Sequence, residues 1–302
     1  MTLELVETVQ LPAALRAIAQ EVDGLLHQLL PIPPDGRARL YKAMRHAGIG
    51  GGKRMRPLLA TAAADLFGVE RARSLRAGLA AECIHVYSLV HDDLPCMDDD
   101  DTRRGKPTVH RAFDEATAVL AGDSLHALAF ELLADEATHD DPAVRVELVA
   151  ALARASGPAG MAGGQMMDLA AAETALDIGA VTRLQQLKTG ALIAFSVEAG
   201  GMLGRGDAAA RTALRGYAHD LGLAFQIADD LLDVAGDEAK AGKRLGKDEA
   251  AGKVTFVSLL GRERAETQAR MLVDQAAEHL APFGEDAALL REIARYAVER
   301  DR

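Results

Sequence analysis

The sequence has no tryptophan, and with 4 tyrosines and 7 phenylalanines only 4% of its 302 residues are aromatic. β-Branched runs are scarce as well, while alanine, leucine, glutamate and arginine abound, a bias that favours helices and argues against a sandwich or barrel. Two cysteines, Cys83 and Cys96, are too few for a disulfide framework, which fits a reducing compartment. Positive charge is in deficit: 34 Lys and Arg stand against 45 Asp and Glu, a formal charge of −11. Such a field repels phosphate backbones, so nucleic acid is excluded as a partner. No apolar run reaches the roughly 18 residues of a membrane span, and the acidic start Met1-Thr-Leu-Glu-Leu-Val-Glu lacks the positive charge of a signal peptide. A cytoplasmic location is expected.

What the chain does have is helical periodicity, with 49% hydrophobic and 26% charged residues, the balance of a folded globular protein. The pattern predicts helices near 11–30, 36–48, 53–68, 70–94, 111–137, 142–156, 158–170, 177–200, 207–235, 254–281 and 284–300. No break between them is long or polar enough for an interdomain linker, so one all-α domain spanning 1–302 is expected. The longest irregular stretch, 236–253, is rich in Gly and Lys and is a functional candidate on length alone.

Two acidic clusters interrupt the apolar pattern. The first is His91-Asp92-Asp93-Leu-Pro-Cys-Met-Asp98-Asp99-Asp100-Asp101, at the end of a helix that Pro95 must stop. An exposed charge run would be the plain reading. The preceding helix, however, is apolar around its circumference, which places it centrally and points its acidic end at a cavity. The second cluster, Gln226-Ile-Ala-Asp229-Asp230-Leu-Leu-Asp233, puts Asp229 and Asp233 on one helix face with Asp230 at its edge. Carboxylates at that spacing in an apolar helix call for a compensating cation. Oxygen donors with no Cys/His set favour Mg2+ over zinc, and the loop pattern of a calcium-binding EF-hand is missing. Because magnesium completes its octahedron with phosphate oxygens, a phosphorylated substrate follows.

Cations are spread along the chain. Gly51-Gly52-Lys53-Arg54-Met55-Arg56-Pro57 sets three of them at a helix start, where backbone N–H groups already favour anions. Its spacing is not that of a nucleotide-binding P-loop. Arg103-Arg104, Lys188-Thr189, and Lys243, Arg244, Lys247 and Lys253 add further basic groups. Two acidic faces with separate basic groups suit two phosphorylated substrates, one held through metal and activated, the other anchored intact.

In this order the motifs resemble those of the trans-polyprenyl diphosphate synthases, and among them the bacterial short-chain farnesyl diphosphate synthases. The resemblance rests on Gly52-Lys-Arg-Met-Arg-Pro57, Asp-Asp-x4-Asp at 92–98 with Arg103-Arg104-Gly105, and Gly163-Gly164-Gln165. It continues with Lys188-Thr189-Gly190, Gln226 before Asp-Asp-x-x-Asp at 229–233, Gly236-Asp237, Gly242-Lys243 and Gly252-Lys253. It implies an isoprenoid-synthase helical bundle around a central cavity, and a homodimer. Asp92, Asp93, Asp98, Asp229, Asp230 and Asp233 match magnesium ligands. Gly52, Lys53, Arg56, His85 and Arg104 match the isopentenyl diphosphate site; Arg103, Lys188, Thr189, Gln226, Lys243 and Lys253 match contacts to an allylic diphosphate. Asp99, Asp100 and Asp101 fall outside the ligand set.

The implied reaction ionises the allylic diphosphate, adds the isopentenyl double bond and eliminates a proton. Asp92, Asp93, Asp98, Arg103, Lys188, Asp229 and Asp230 would be its catalytic residues. Tyr87 and Ser88 lie five and four residues before Asp92, which puts Tyr87 about 7.5 Å along the helix, where its ring could floor the hydrocarbon cavity or simply pack in the core. A floor there predicts a fifteen-carbon product; Gly246-Lys247-Asp248 keeps the twenty-carbon product open. A terpene cyclase would not need the second diphosphate site, and a non-catalytic partner subunit would not need both acidic clusters.

Overall fold

The computed structural model describes residues 11–171, 176–235 and 254–299. Its helices are α1 (Leu11–Leu29), α2 (Ala38–Gly48), α3 (Met55–Asp65), α4 (Arg71–Asp92), α5 (Val109–Ala112), α6 (Glu115–Ala134), α7 (Pro142–Ser156) and α8 (Met161–Ala170). They continue with α9 (Ile178–Gln185), α10 (Ala191–Leu203), α11 (Ala208–Ala235), α12 (Phe256–Leu260), α13 (Arg262–His279) and α14 (Ala288–Glu299). The protein is an all-α helical bundle, and its strands among the described residues are a two-residue antiparallel hairpin, Thr102–Arg103 with Lys106–Pro107.

Helix starts follow capping chemistry. Asp114, Asp141 and Asp177 accept backbone N–H groups from the first turns of α6, α7 and α9, and Thr255 forms a reciprocal capping box with Ser258 at α12. Four breaks were not expected. The 111–137 helix is split at Phe113 and Asp114 into α5 and α6. The 177–200 helix contains a π-helical turn at Gln186–Gly190. Gly261, at φ 78°, splits the 254–281 helix. A 3₁₀ turn, Ala281–Ala287, precedes α14.

Packing places the acidic helices. α10 is apolar around its circumference and buried, and it packs against α3, α4, α7 and α11. Around this hub, α4 is covered on its far side by α6, and α11 by α13. The two aspartate-bearing helices therefore flank one central helix. By length and composition alone α6, with a mean hydropathy of 1.3, could cross a membrane, but Glu115, Asp123 and Glu131 break its apolar runs and 44% of that stretch is buried inside the protein. It packs against α4 and α2, but Val119 and Leu120 on its outer side stay exposed.

Candidate active site

The first acidic cluster stands where the sequence puts it. Asp92 is the last residue of α4 and Asp93 its C-cap. The chain then folds back, so that the Asp98 N–H donates to the Asp92 carbonyl at 2.8 Å and the Asp100 N–H to that of Asp93 at 3.2 Å. These bonds satisfy carbonyls that a helix end leaves open. A helix C-terminus carries partial negative charge, so carboxylates here add to an existing demand for a cation. Burial pushes Asp92 up to about 6; Asp98 and Asp93 add to the shift, while Lys188 and Arg103 oppose it. Burial also raises Asp93, against the Arg103 guanidinium that donates to it at 2.7 Å through Nε.

Arg103, assigned by resemblance to the allylic diphosphate, thus spans Asp93 and Asp100, the latter at 3.5 Å. Asp98 and Asp99 are exposed, and Asp101 pairs with Arg111. Sequence reading did not place Gln165 in the site, although its Gly-Gly-Gln motif was visible. Its Nε2 donates to Asp92 Oδ1 at 3.0 Å, and its Oε1 is buried with no hydrogen-bond partner.

The second cluster lies in the last ten described residues of α11. Asp229 is half-buried, while Gln226, Asp230 and Asp233 are buried. Asp230 Oδ2 accepts the Phe256 N–H at 2.8 Å, which gives this carboxylate a structural bond to α12 that its pairing with Asp229 in sequence does not reveal. Lys188 lies in the π-helical turn and pairs with Asp168 of α8 at 2.7 Å; Thr189 beside it is half-buried. Glycine is required at 164, because a β-carbon there would stand 2.2 Å from the Lys188 backbone nitrogen. That close approach brings Gln165 and Lys188 to the end of α4. Lys243 and Lys253 lie outside the described residues.

The basic groups gather beside these helix ends. Gly52, at φ +83°, lies under the Arg104 guanidinium, and a β-carbon on it would meet that group at 2.6 Å. Arg56 Nε is buried with no hydrogen-bond partner. Burial draws the Arg56 guanidinium down, with the charge of Arg104 acting the same way and Glu82 and Asp229 acting against it. His85 is held well below its ordinary value by burial and then by Arg56, Arg104, Arg103 and Arg54, so its imidazole is neutral at physiological pH. Lys53 Nζ lies 5.8 Å from the centre of the Tyr296 ring on α14. Below the site, Tyr87 is half-buried in an edge-to-face ring contact with His126 of α6, and the Ser88 hydroxyl bonds back to the His85 carbonyl.

The donor set suits magnesium. The cluster side chains are carboxylates with no Cys or His set among them, the hard oxygen donors that magnesium takes, although among the described residues no three His, Cys, Asp or Glu groups converge tightly enough to hold an ion.

The polyprenyl synthetase family model matches residues 37–292. The chain is 43% identical over 300 residues to the farnesyl diphosphate synthase of Escherichia coli, covering 96% of this chain and 99% of that one. A solved FPP/GFPP synthase from Zymomonas mobilis superposes with a TM-score of 0.88 at 56% identity, covering 96% and 99% of the two chains. The geranyltransferase of Helicobacter pylori, solved with magnesium and isoprenyl diphosphate, superposes with a TM-score of 0.82 at 32% identity over 98% of each chain. The chain therefore belongs to the polyprenyl synthetase family and is a prenyltransferase.

Proposed function

We propose that this prenyltransferase condenses isopentenyl diphosphate with dimethylallyl or geranyl diphosphate, by magnesium-dependent ionisation, addition and proton elimination, to give farnesyl diphosphate. The observation that carries this reading is the Arg56, Arg104 and His85 group. Two guanidinium groups close enough to repel each other, one with a partnerless buried Nε, form a ready anion site beside the acidic helix ends. A neutral imidazole next to them offers a further N–H donor. That is a second diphosphate site, distinct from one held through metal, and it separates chain elongation from cyclisation.

Asp92, Asp93 and Asp98, with Asp229, Asp230 and Asp233, would hold magnesium, which when bound would supply the electron withdrawal that makes the allylic diphosphate a leaving group. Lys188 and Arg103 adjoin the first acidic cluster, where they stabilise charge developing on departing phosphate oxygens. Thr189 and Gln226 orient that diphosphate, a role that resemblance also gives Lys243 and Lys253. Lys53, Arg56, His85 and Arg104, with the open backbone of Gly52, hold isopentenyl diphosphate intact. Tyr87 closes the hydrocarbon path and Ser88 sits beside it. The exposed Val119 and Leu120 of α6 support a homodimer through that face.

The test is incubation of the purified chain with both five-carbon diphosphates and magnesium, followed by chromatography of the products. A fifteen-carbon diphosphate that disappears with chelator is expected. A twenty-carbon product would move the floor below Tyr87, and no elongation at all would overturn the reading.

A further inference from the structure

The Gly48–Arg54 turn carries Lys53 and leads into Arg56, yet the side chain that fixes it belongs to Arg54. This residue takes the left-handed conformation, φ 50° and ψ 35°, at the N-cap of α3, where L-residues are disfavoured. The residue is 2% exposed, and both terminal nitrogens of its guanidinium are engaged. Nη1 donates to Glu82 Oε1 of α4 at 2.9 Å, and Nη2 donates to Asp23 Oδ1 of α1 at 2.7 Å and to the Gly48 carbonyl at 2.5 Å. The other Asp23 oxygen accepts the Gly50 N–H at 3.0 Å. One carboxylate on α1 therefore grips the turn at its middle and, through Arg54, at its end.

The charges around this network matter as much as its geometry. Glu82 is buried, lies one helical turn before His85, and is felt by both Arg56 and Arg104. A buried carboxylate without a partner seeks the nearest cation. Without Arg54, those cations would be Arg56 and Arg104, the groups assigned to isopentenyl diphosphate. We propose that Asp23 and Arg54 are positioning residues for the isopentenyl diphosphate site: together they lock the Lys53 turn and occupy Glu82, leaving Arg56 and Arg104 to the substrate. Backbone strain is concentrated here too. Among the described residues Arg54, Asp99, Arg104 and Arg205 are the non-glycine positions with positive φ, and three of these four lie in the site loops, where strain held by surrounding contacts is characteristic of function.

This inference rests on the assignment of Arg56 and Arg104 made above, and the experiment separates the two. Steady-state kinetics are measured for Asp23→Ala, Asp23→Asn and Arg56→Ala with each diphosphate varied in turn. For Asp23→Ala the KM for isopentenyl diphosphate should rise about tenfold, the size of effect that loss of a hydrogen bond to a charged group produces, while kcat and the allylic KM stay within about twofold. Asp23→Asn, whose amide oxygen still accepts the Gly50 N–H, should recover part of that loss. If Arg56→Ala leaves the isopentenyl KM unchanged, the site assignment itself falls. If Arg56→Ala raises it but both Asp23 variants do not, or raise both KM values equally, the positioning role falls alone. A buried network matters for folding as well, so melting temperatures are recorded, and the isosteric Asp23→Asn keeps the comparison interpretable should Asp23→Ala fail to fold.

Discussion

Replacing Tyr87 with alanine should lengthen the product by one prenyl unit. The ring projects from α4 and meets His126 edge-on at 5.0 Å between centroids, with His91 at 5.7 Å. One turn further down the helix lie Cys83 and Ile84, both buried. A helical turn spans about 5.4 Å, and a prenyl unit adds four carbon–carbon bonds of about 1.5 Å each, or roughly 5 Å once bent. Removing the ring should thus free room for one unit, and the His126–Phe130 pair packed beside it, 5.1 Å apart, should limit a second. The fold should tolerate the change. Truncating a fully buried aromatic costs about 3–5 kcal/mol; Tyr87 is half-buried, so its loss, edge contacts included, should stay a minority of the roughly 5–15 kcal/mol that stabilises a domain. Products are dephosphorylated and separated by chain length, with the fifteen-carbon alcohol expected to give way to the twenty-carbon one. An unchanged product would show that the floor lies elsewhere, and a broad ladder of longer products would show that His126 backs nothing.

Other outcomes follow from the buried charges and bonds. Asp92 titrates at about 6 in the fold against 3.8 in a free chain, so its ionised form costs stability as pH rises from about 4 to 6, and the full cost persists above that. Asp92→Asn should therefore raise the melting temperature of the metal-free protein by a few degrees at pH 7.5 but not at pH 4, while turnover drops at least about 100-fold; equal melting shifts at both pH values would contradict this. Since a proton on Asp92 competes with metal, the magnesium concentration for half-maximal activity should climb about tenfold per unit of pH below about 6, as magnesium titrations at stepped pH would show. Tyr217 is fully buried, and its hydroxyl donates to the Leu290 carbonyl at 2.7 Å. Tyr217→Phe should cost about 1–3 kcal/mol in denaturant unfolding with kcat preserved, and a matching fall in kcat would tie this bond to the chemistry.

Much of this molecule can be read locally. The stop at Pro95 sets Asp92 and Asp93 at a helix end, and the apolar circumference of α4 shows that it is central. The capping aspartates 114, 141 and 177 mark helix starts within a few residues. What escaped depends on contacts distant in the chain. Arg54 bonds to partners 28 and 31 residues away, and in sequence it looks like any of three cations in a row. Asp168 becomes a partner of Lys188 only because α8 packs on the π-helical turn. Gln-Leu-Lys-Thr-Gly has no local signal for that turn, since its residues other than Gly190 fit an α-helix tolerably. Asp230 looks identical to Asp229 until α12 places its first N–H against it.

The π-helical turn at Gln186–Gly190 makes Lys188 depend on a count of residues. A π turn holds one residue more than an α turn, so α9 and α10 keep their packing faces only while that surplus residue is absorbed between them. Were all the same residues wound as an ordinary α-helix, the surplus one would turn one flank by about 100° relative to the other. Deleting one residue would instead let the turn close as α-helix with α9 and α10 still in phase. The helix packing would survive such a deletion, whereas the widened turn that carries Lys188 towards the first acidic helix would be lost: the extra residue serves the cation, not the bundle.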